Sequence, residues 1–100
     1  MMKEILENLD KAFESRVRLG IMAILMVNEQ VDFNQLKELL DVTDGNLASH
    51  LKQLEASEYI AVQKQFIGRK PNTTYFATEE GKKAFNNHLN ALENLIKNKL

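Results

Sequence analysis

A small α+β domain, mostly helical, is the fold class this sequence predicts, and three observations predict it. Apolar residues recur at helical spacing through residues 16–28, 33–40, 44–57 and 79–100. Between residues 60 and 77 the period switches to two, broken in the middle by Gly68, Pro71 and Asn72. The chain has 100 residues, enough for one domain with a modest core and too few for two.

Composition narrows the function classes. Hydrophobic residues make up 44% and charged residues 27%, an ordinary soluble balance. The longest apolar run, Ile21 to Val27, is far short of the ~20 residues that cross a bilayer, so no membrane partner is expected. The first seven residues hold the acids Glu4 and Glu7 and no apolar leader region, so a secretory signal is not expected; a cysteine-free chain allows a cytoplasmic setting, which is the expectation. The absence of cysteine excludes disulfides and thiolate metal sites. A net charge of −1 argues against holding nucleic acid through a global positive field. Charge is nonetheless unevenly placed. Between residues 51 and 78, Lys52, Lys64, Arg69 and Lys70 outnumber Glu55 and Glu58, while acids collect at Glu4, Glu7, Asp10 and Glu14 and from Glu29 to Asp41.

Taken in order, Lys3–Phe13 carries Ile5, Leu6, Leu9, Ala12 and Phe13 at helical spacing. Ser15 is the expected N-cap of a helix from Arg16 to about Asn28. That helix has one apolar stripe of Val17, Ile21, Ile24 and Leu25 and a second of Leu19, Met22, Ala23 and Met26. Two stripes require burial on two sides, the second against the C-terminal helix or a partner subunit. Gln30-Val31-Asp32 suits a minimal strand, and Phe33–Leu40 places Phe33, Leu36, Leu39 and Leu40 on one helical face. Asp41-Val42-Thr43 is the turn into the next helix, Asp44–Ser57, with Thr43 as N-cap and Val42 able to staple to Leu47. Asp44 suits the positive helix end, and Leu47, Leu51 and Leu54 form a narrow inward seam.

After Ser57-Glu58 comes a strand with Ile60, Val62, Lys64 and Phe66 on one side and Ala61, Gln63, Gln65 and Ile67 on the other. Gly68-Arg69-Lys70-Pro71-Asn72 supplies turn chemistry, and Thr73–Ala77 is rich in β-formers for the return strand. Thr78 caps a last helix that opens with Glu79-Glu80 and carries Ala84, Phe85, Leu89, Leu92, Ile96 and Leu100 in an approximate a/d seam widened by Leu95. That helix is longer than so small a core needs, so its outer half is expected to pack on a second chain. A helix–turn–helix followed by a two-stranded hairpin with a cationic tip is the element order of a winged helix. Residues 14–77 supply the three-helix core and wing, and residues 78–100 the dimerisation helix.

Two groups of residues carry the expected function. With its leucines inward, the helix at Asp44–Ser57 turns Gly45, Asn46, Ser49, His50, Lys52 and Gln53 outward, with Thr43 at its start. Asn and Gln can bond adenine edges, Ser adapts to several bases, and Lys reaches guanine or phosphate. Gly45 lets the backbone approach a phosphate. A polar helix face alone is only solvated surface; the hairpin behind it turns the reading toward recognition. Arg69 and Lys70 at the hairpin tip suit a minor groove or phosphates, with Lys64 as a further backbone contact. Arg16 and Arg18 either meet phosphate or pair with local acids. The dimerisation set is Leu19, Met22, Phe85, Leu89, Leu92, Leu95 and Ile96.

An enzyme is not expected. Ser49 and His50 are helix neighbours pointing about 100° apart, without a third partner. No metal-ligand spacing, phosphate loop or catalytic acid pair is present, and no metal or cofactor is expected.

The run Thr43-Asp44-Gly45-Asn46-Leu47-Ala48-Ser49-His50-Leu51-Lys52-Gln53-Leu54-Glu55, then Gly68-Arg69-Lys70-Pro71-Asn72-Thr73-Thr74-Tyr75, then Thr78-Glu79-Glu80-Gly81, resembles the small winged-helix transcriptional regulators related to the MarR and ArsR classes. The resemblance covers roughly residues 9–97. It implies a homodimer paired through terminal helices on a pseudo-palindromic operator in double-stranded DNA. It also implies that Gly45, Asn46, Ser49, His50, Lys52 and Gln53 lie on the recognition helix and Arg69 and Lys70 on the wing. An alternative from another class is a winged-helix interaction or dimerisation module without DNA binding, favoured by the acidic balance. A third is a regulator with an apolar effector pocket at Leu19, Met22 and Met26; the sequence names no effector.

Overall fold

Asp10 ends the N-terminal helix that spacing alone would carry on to Phe13. The computed structural model describes residues 2–98. Helix α1 spans Met2–Glu7, and Lys11–Phe13 form a separate 3-10 turn. Asp10 Oδ1 accepts from Ala12 N at 2.9 Å, and Oδ2 accepts from the Tyr59 hydroxyl at 2.6 Å. Its backbone N–H donates to His88 Nδ1 at 2.9 Å. An aspartate that bonds the turn ahead of it competes with helix continuation, so the expected single helix Lys3–Phe13 is two short pieces.

The next three helices begin at side-chain caps. Helix α2 spans Arg16–Val27, with Ser15 Oγ accepting from Arg18 N at 3.3 Å. Strand β1, Val31–Asp32, leads directly into α3, Phe33–Leu40. Asp32 and Gln35 form a reciprocal capping box there, which the sequence reading did not name. Asp41 ends α3 in the left-handed region at φ 53°, and Val42 packs against the core. Thr43 Oγ1 accepts from Asn46 N at 3.2 Å and starts α4, Asp44–Ala56. Glu58, at φ 63°, closes that helix, with Tyr59 N on Leu54 O at 3.0 Å and Glu58 N on Glu55 O at 2.9 Å.

Strands β2 (Ile60–Ile67) and β3 (Lys70–Ala77) pair antiparallel from Ile60↔Ala77 to Ile67↔Lys70. The connection is therefore the two residues Gly68-Arg69, and Lys70, Pro71 and Asn72 belong to the strand rather than to the longer turn expected. Gly68 at φ 65° in the first central position matches the primed turns whose twist suits a hairpin. Pro71 opposes Phe66 one step from the turn. There its missing N–H points away from β2, toward an edge that β1 does not reach, so the ladder loses no bond. The sheet has three strands, ordered β1-β3-β2, not the wing's two alone. Val31 opposite Tyr75 draws β1 onto the inner end of β3, where both side chains are buried.

Helix α5 spans Glu79–Lys97. Thr78 Oγ1 accepts from Gly81 N at 2.9 Å and donates to Glu58 O at 2.7 Å, while Thr78 N donates to Tyr59 O at 3.0 Å. Leu100 of the expected seam lies outside the described residues.

Ile21, Met22, Leu25, Leu36, Leu47, Leu51 and Leu54 are the most deeply buried side chains. Phe13 extends this core, stacked on Tyr59 at 5.5 Å and edge-on to Phe85 at 5.1 Å. Both stripes of α2 are largely absorbed internally. Met22 is 0% exposed, and Leu19 and Met26 pack half-buried against the same core. Met22 therefore has no surface to offer a second chain, and Phe85, at 5%, has almost none. The α5 seam divides: Phe85, His88 and Ala91 face inward, Leu95 is half-buried, and Leu89, Leu92 and Ile96 are exposed.

Candidate nucleic-acid interface

Burial of Leu47, Leu51 and Leu54 decides what α4 shows to solvent. Gly45, Asn46, Ser49, Lys52 and Gln53 are exposed along it, with Thr43 exposed at its start and His50 half-buried at its flank. Beyond its chain neighbours and the backbone of its own helix, nothing lies within 4 Å of where a Cβ on Gly45 would stand, so the first turn of α4 presents open backbone. Lys37 Nζ lies 2.7 Å from Asp44 Oδ1 across the turn between α3 and α4. That pair offsets the acid nearest the helix end, where a bare carboxylate would oppose an approaching phosphate. The spacing of Lys37 and Asp44 gave no sign of it.

Arg18 is the residue whose role the sequence left open between phosphate and local acids. Its hydrogen bonds go to neither. Nε donates to Ala12 O at 2.7 Å, and Nη1 meets His50 Nδ1 at 2.9 Å and Gln53 Oε1 at 2.6 Å. Two of the expected base readers are thus held from behind by the start of α2. Desolvation, and then the neighbouring Arg18 charge, lower the His50 pKa below the usual histidine value. Guanidinium has no acceptor, so Gln53 turns its amide oxygen to Arg18. The oxygen end of that amide is therefore turned inward, toward the start of α2.

The wing presents Lys64, Arg69 and Lys70, all exposed. Phe66 and Ile67 beside them are 74% and 62% exposed, because the outer half of the hairpin extends past the core. Alternation alone had assigned each a face without showing that both faces end in solvent there. Among the described residues no group of His, Cys, Asp and Glu is arranged to hold a metal ion, and no helix is long and apolar enough to cross a membrane.

A three-helix unit with its third helix bared on one side, and a hairpin carrying cations beyond it, defines a winged helix. The chain belongs to the winged helix DNA-binding domain family, which it matches over residues 17–96. It is 41% identical over 88 residues to an uncharacterized protein of Methanocaldococcus jannaschii, covering 88% of this chain and 96% of that one. It is 32% identical to a structure described as a transcriptional regulator homologue from Pyrococcus horikoshii, with a TM-score of 0.84 over 96% of this chain and 93% of that one. A Bacillus cereus protein described as a MarR-like transcription regulator shares the fold at 20% identity and a TM-score of 0.70, covering 95% of this chain and 70% of that one. The regulator families named from the motifs are thus the ones whose fold this chain has.

Proposed function

We propose that this protein regulates transcription as a homodimer bound to a pseudo-palindromic operator. The observation that carries the reading is the bared face of α4, with Gly45, Asn46, Ser49 and Lys52 exposed, in the same chain as a cationic wing. In this reading α4 enters the major groove, with Thr43 and the open turn at Gly45 against a phosphate and Asn46, Ser49, His50, Lys52 and Gln53 toward the bases. Arg69 and Lys70 reach the flanking minor groove or backbone, with Lys64 behind them. The second copy packs on the outer face of α5, where Leu89, Leu92 and Ile96 are 42%, 39% and 85% exposed. Leu95 and Leu19, both half-buried, border that contact in the proposal. A two-fold axis there sets half-sites about one helical turn, ~34 Å, apart. The setting is the cytoplasm, where such an operator is found.

Fluorescence anisotropy tests this with DNA from upstream of the protein's own gene. The native chain is expected to bind tightly, and Arg69→Ala with Lys70→Ala to abolish that binding. Equal and weak binding by both forms overturns the reading. It would favour a winged helix used for protein contact, which the bared Phe66 and Ile67 at the wing and the net charge of −1 support.

A further inference from the structure

We propose that Arg18 sets the hydrogen-bond polarity of α4, leaving His50 and Gln53 to face the operator as donors, so that the base they meet is guanine. The proposal rests on the functional reading above and goes beyond it to a property of the operator.

The argument starts from hydrogen counting. A guanidinium donates and never accepts. The Arg18 Nε hydrogen goes to Ala12 O, and the two on Nη1 serve His50 Nδ1 and Gln53 Oε1. A neutral His50 whose Nδ1 accepts must carry its proton on Nε2, so its remaining ring nitrogen is a donor. Gln53 turns its oxygen end toward Arg18, which leaves the amide N–H end to face away from it. The two residues are three apart on one helix and lie on neighbouring positions of the same face. In the major groove guanine shows acceptors at N7 and O6, whereas adenine sets a donor beside its acceptor. A pair of donors therefore suits guanine and opposes the adenine amino group.

The anchor at Ala12 gives the arrangement its rigidity. Ala12 N is itself bonded to Asp10 Oδ1, so the carbonyl that orients Arg18 sits on a capped turn. Three of the five Arg18 N–H hydrogens are thus directed at Ala12, His50 and Gln53, and only those on Nη2 remain for a phosphate. Arg18 is a positioning residue, acting through His50 and Gln53.

Selection from a randomised duplex pool reads this directly, with the native chain, Arg18→Met and Gln53→Glu compared. The native chain is expected to enrich guanine at one position of each half-site. Arg18→Met keeps the stem's packing and removes the donors, so the Gln53 oxygen can again accept. Adenine then rises toward parity with guanine, a loss of about tenfold in discrimination. Gln53→Glu keeps an acceptor for Arg18 but has no donor of its own, and the preference moves to cytosine. A native chain that enriches no sequence overturns the functional reading and the specificity together. Enrichment that Arg18→Met leaves unchanged overturns the Arg18 assignment alone. If Arg18→Met does not fold, the tautomer of the His50 ring in the native chain decides. Nitrogen-15 NMR of the His50 ring, above its titration range, needs no DNA. A single Nε2–H tautomer in the native chain supports the assignment, and a mixture of tautomers overturns it.

Discussion

Gly81 occupies a place that no other residue can take without movement. A Cβ there would stand 2.0 Å from the Tyr59 carbonyl oxygen, where the start of α5 crosses the start of β2. The obstacle is backbone, fixed by the Thr78 and Tyr59 bond, so it cannot swing aside. Gly81→Ala is expected to cost about 2 kcal/mol despite the better helix propensity of alanine, read as a lower urea midpoint. Gly45 is the opposite case. Its Cβ position is open, so Gly45→Ala is expected to raise stability by about 0.5–1 kcal/mol. The same methyl group holds a phosphate off the exposed N–H groups and is expected to weaken operator binding by about 1 kcal/mol. Gained stability with unchanged affinity would remove Gly45 from the interface. Read from sequence, Gly45 has a role and Gly81 only a place in a motif; the contact at Tyr59 is what makes Gly81 a packing glycine.

At the scale of elements, the N-terminal segment is clasped to α5 and β2 by Asp10, Tyr59 and His88. The Tyr59 hydroxyl donates to the Asp10 carboxylate, which, with burial and the charges of Asp10 and Glu80, pushes its pKa up to about 12. A phenol whose folded value is raised supports the fold fully below its unfolded value near 10, and that support is lost as pH rises through about 12. Asp10→Asn is expected to move this titration back toward 10 in an ultraviolet pH scan and to lower stability near neutrality by about 1 kcal/mol. An unmoved phenol titration would mean the clasp does not form in solution. Helix starts were legible because a cap is local: Ser15, Thr43 and Thr78 each accept from the N–H three residues ahead. The break at Asp10 was less so, because beside its local bond to Ala12 its other partners, Tyr59 and His88, lie 49 and 78 residues away. The wing turn was misjudged for a related reason. Pro71 and Asn72 have turn chemistry, and only the pairing of Phe66 with Pro71 shows that the strand admits them.

At the scale of the whole molecule, the outline is long, with extents of 59 × 25 × 21 Å. Leu92→Glu with Ile96→Glu places charge on the outer face without touching the core, since both positions are exposed. Light scattering is expected to show a dimer for the native chain at micromolar concentration and a monomer for the variant, with far-ultraviolet circular dichroism unchanged. A native monomer would end the two-fold operator account. Lys52, Lys64, Arg69 and Lys70 are the cations this reading places at the interface of each protomer, so few phosphates are neutralised. The logarithm of the binding constant is therefore expected to fall against the logarithm of salt with a slope of about −4 to −6 for the dimer. A slope near zero on an operator would contradict phosphate contact through the wing.

Local signals were legible along the chain: apolar period, caps and turn residues act within a few positions, and they were enough to place α2 to α5, the hairpin and the leucines Leu47, Leu51 and Leu54 that turn a polar face outward. Only the tertiary structure decided which apolar residues were left over. Met22 and Phe85 have the same spacing credentials as Leu92 and Ile96, yet the first two fill the chain's own core and the last two do not. It also decided that Arg18, thirty-two residues from His50 and thirty-five from Gln53, holds the acceptor atoms of both. Hydrogen bonds and packing of that range depend on how helices cross, and periodicity along one helix carries no record of the helix it will meet.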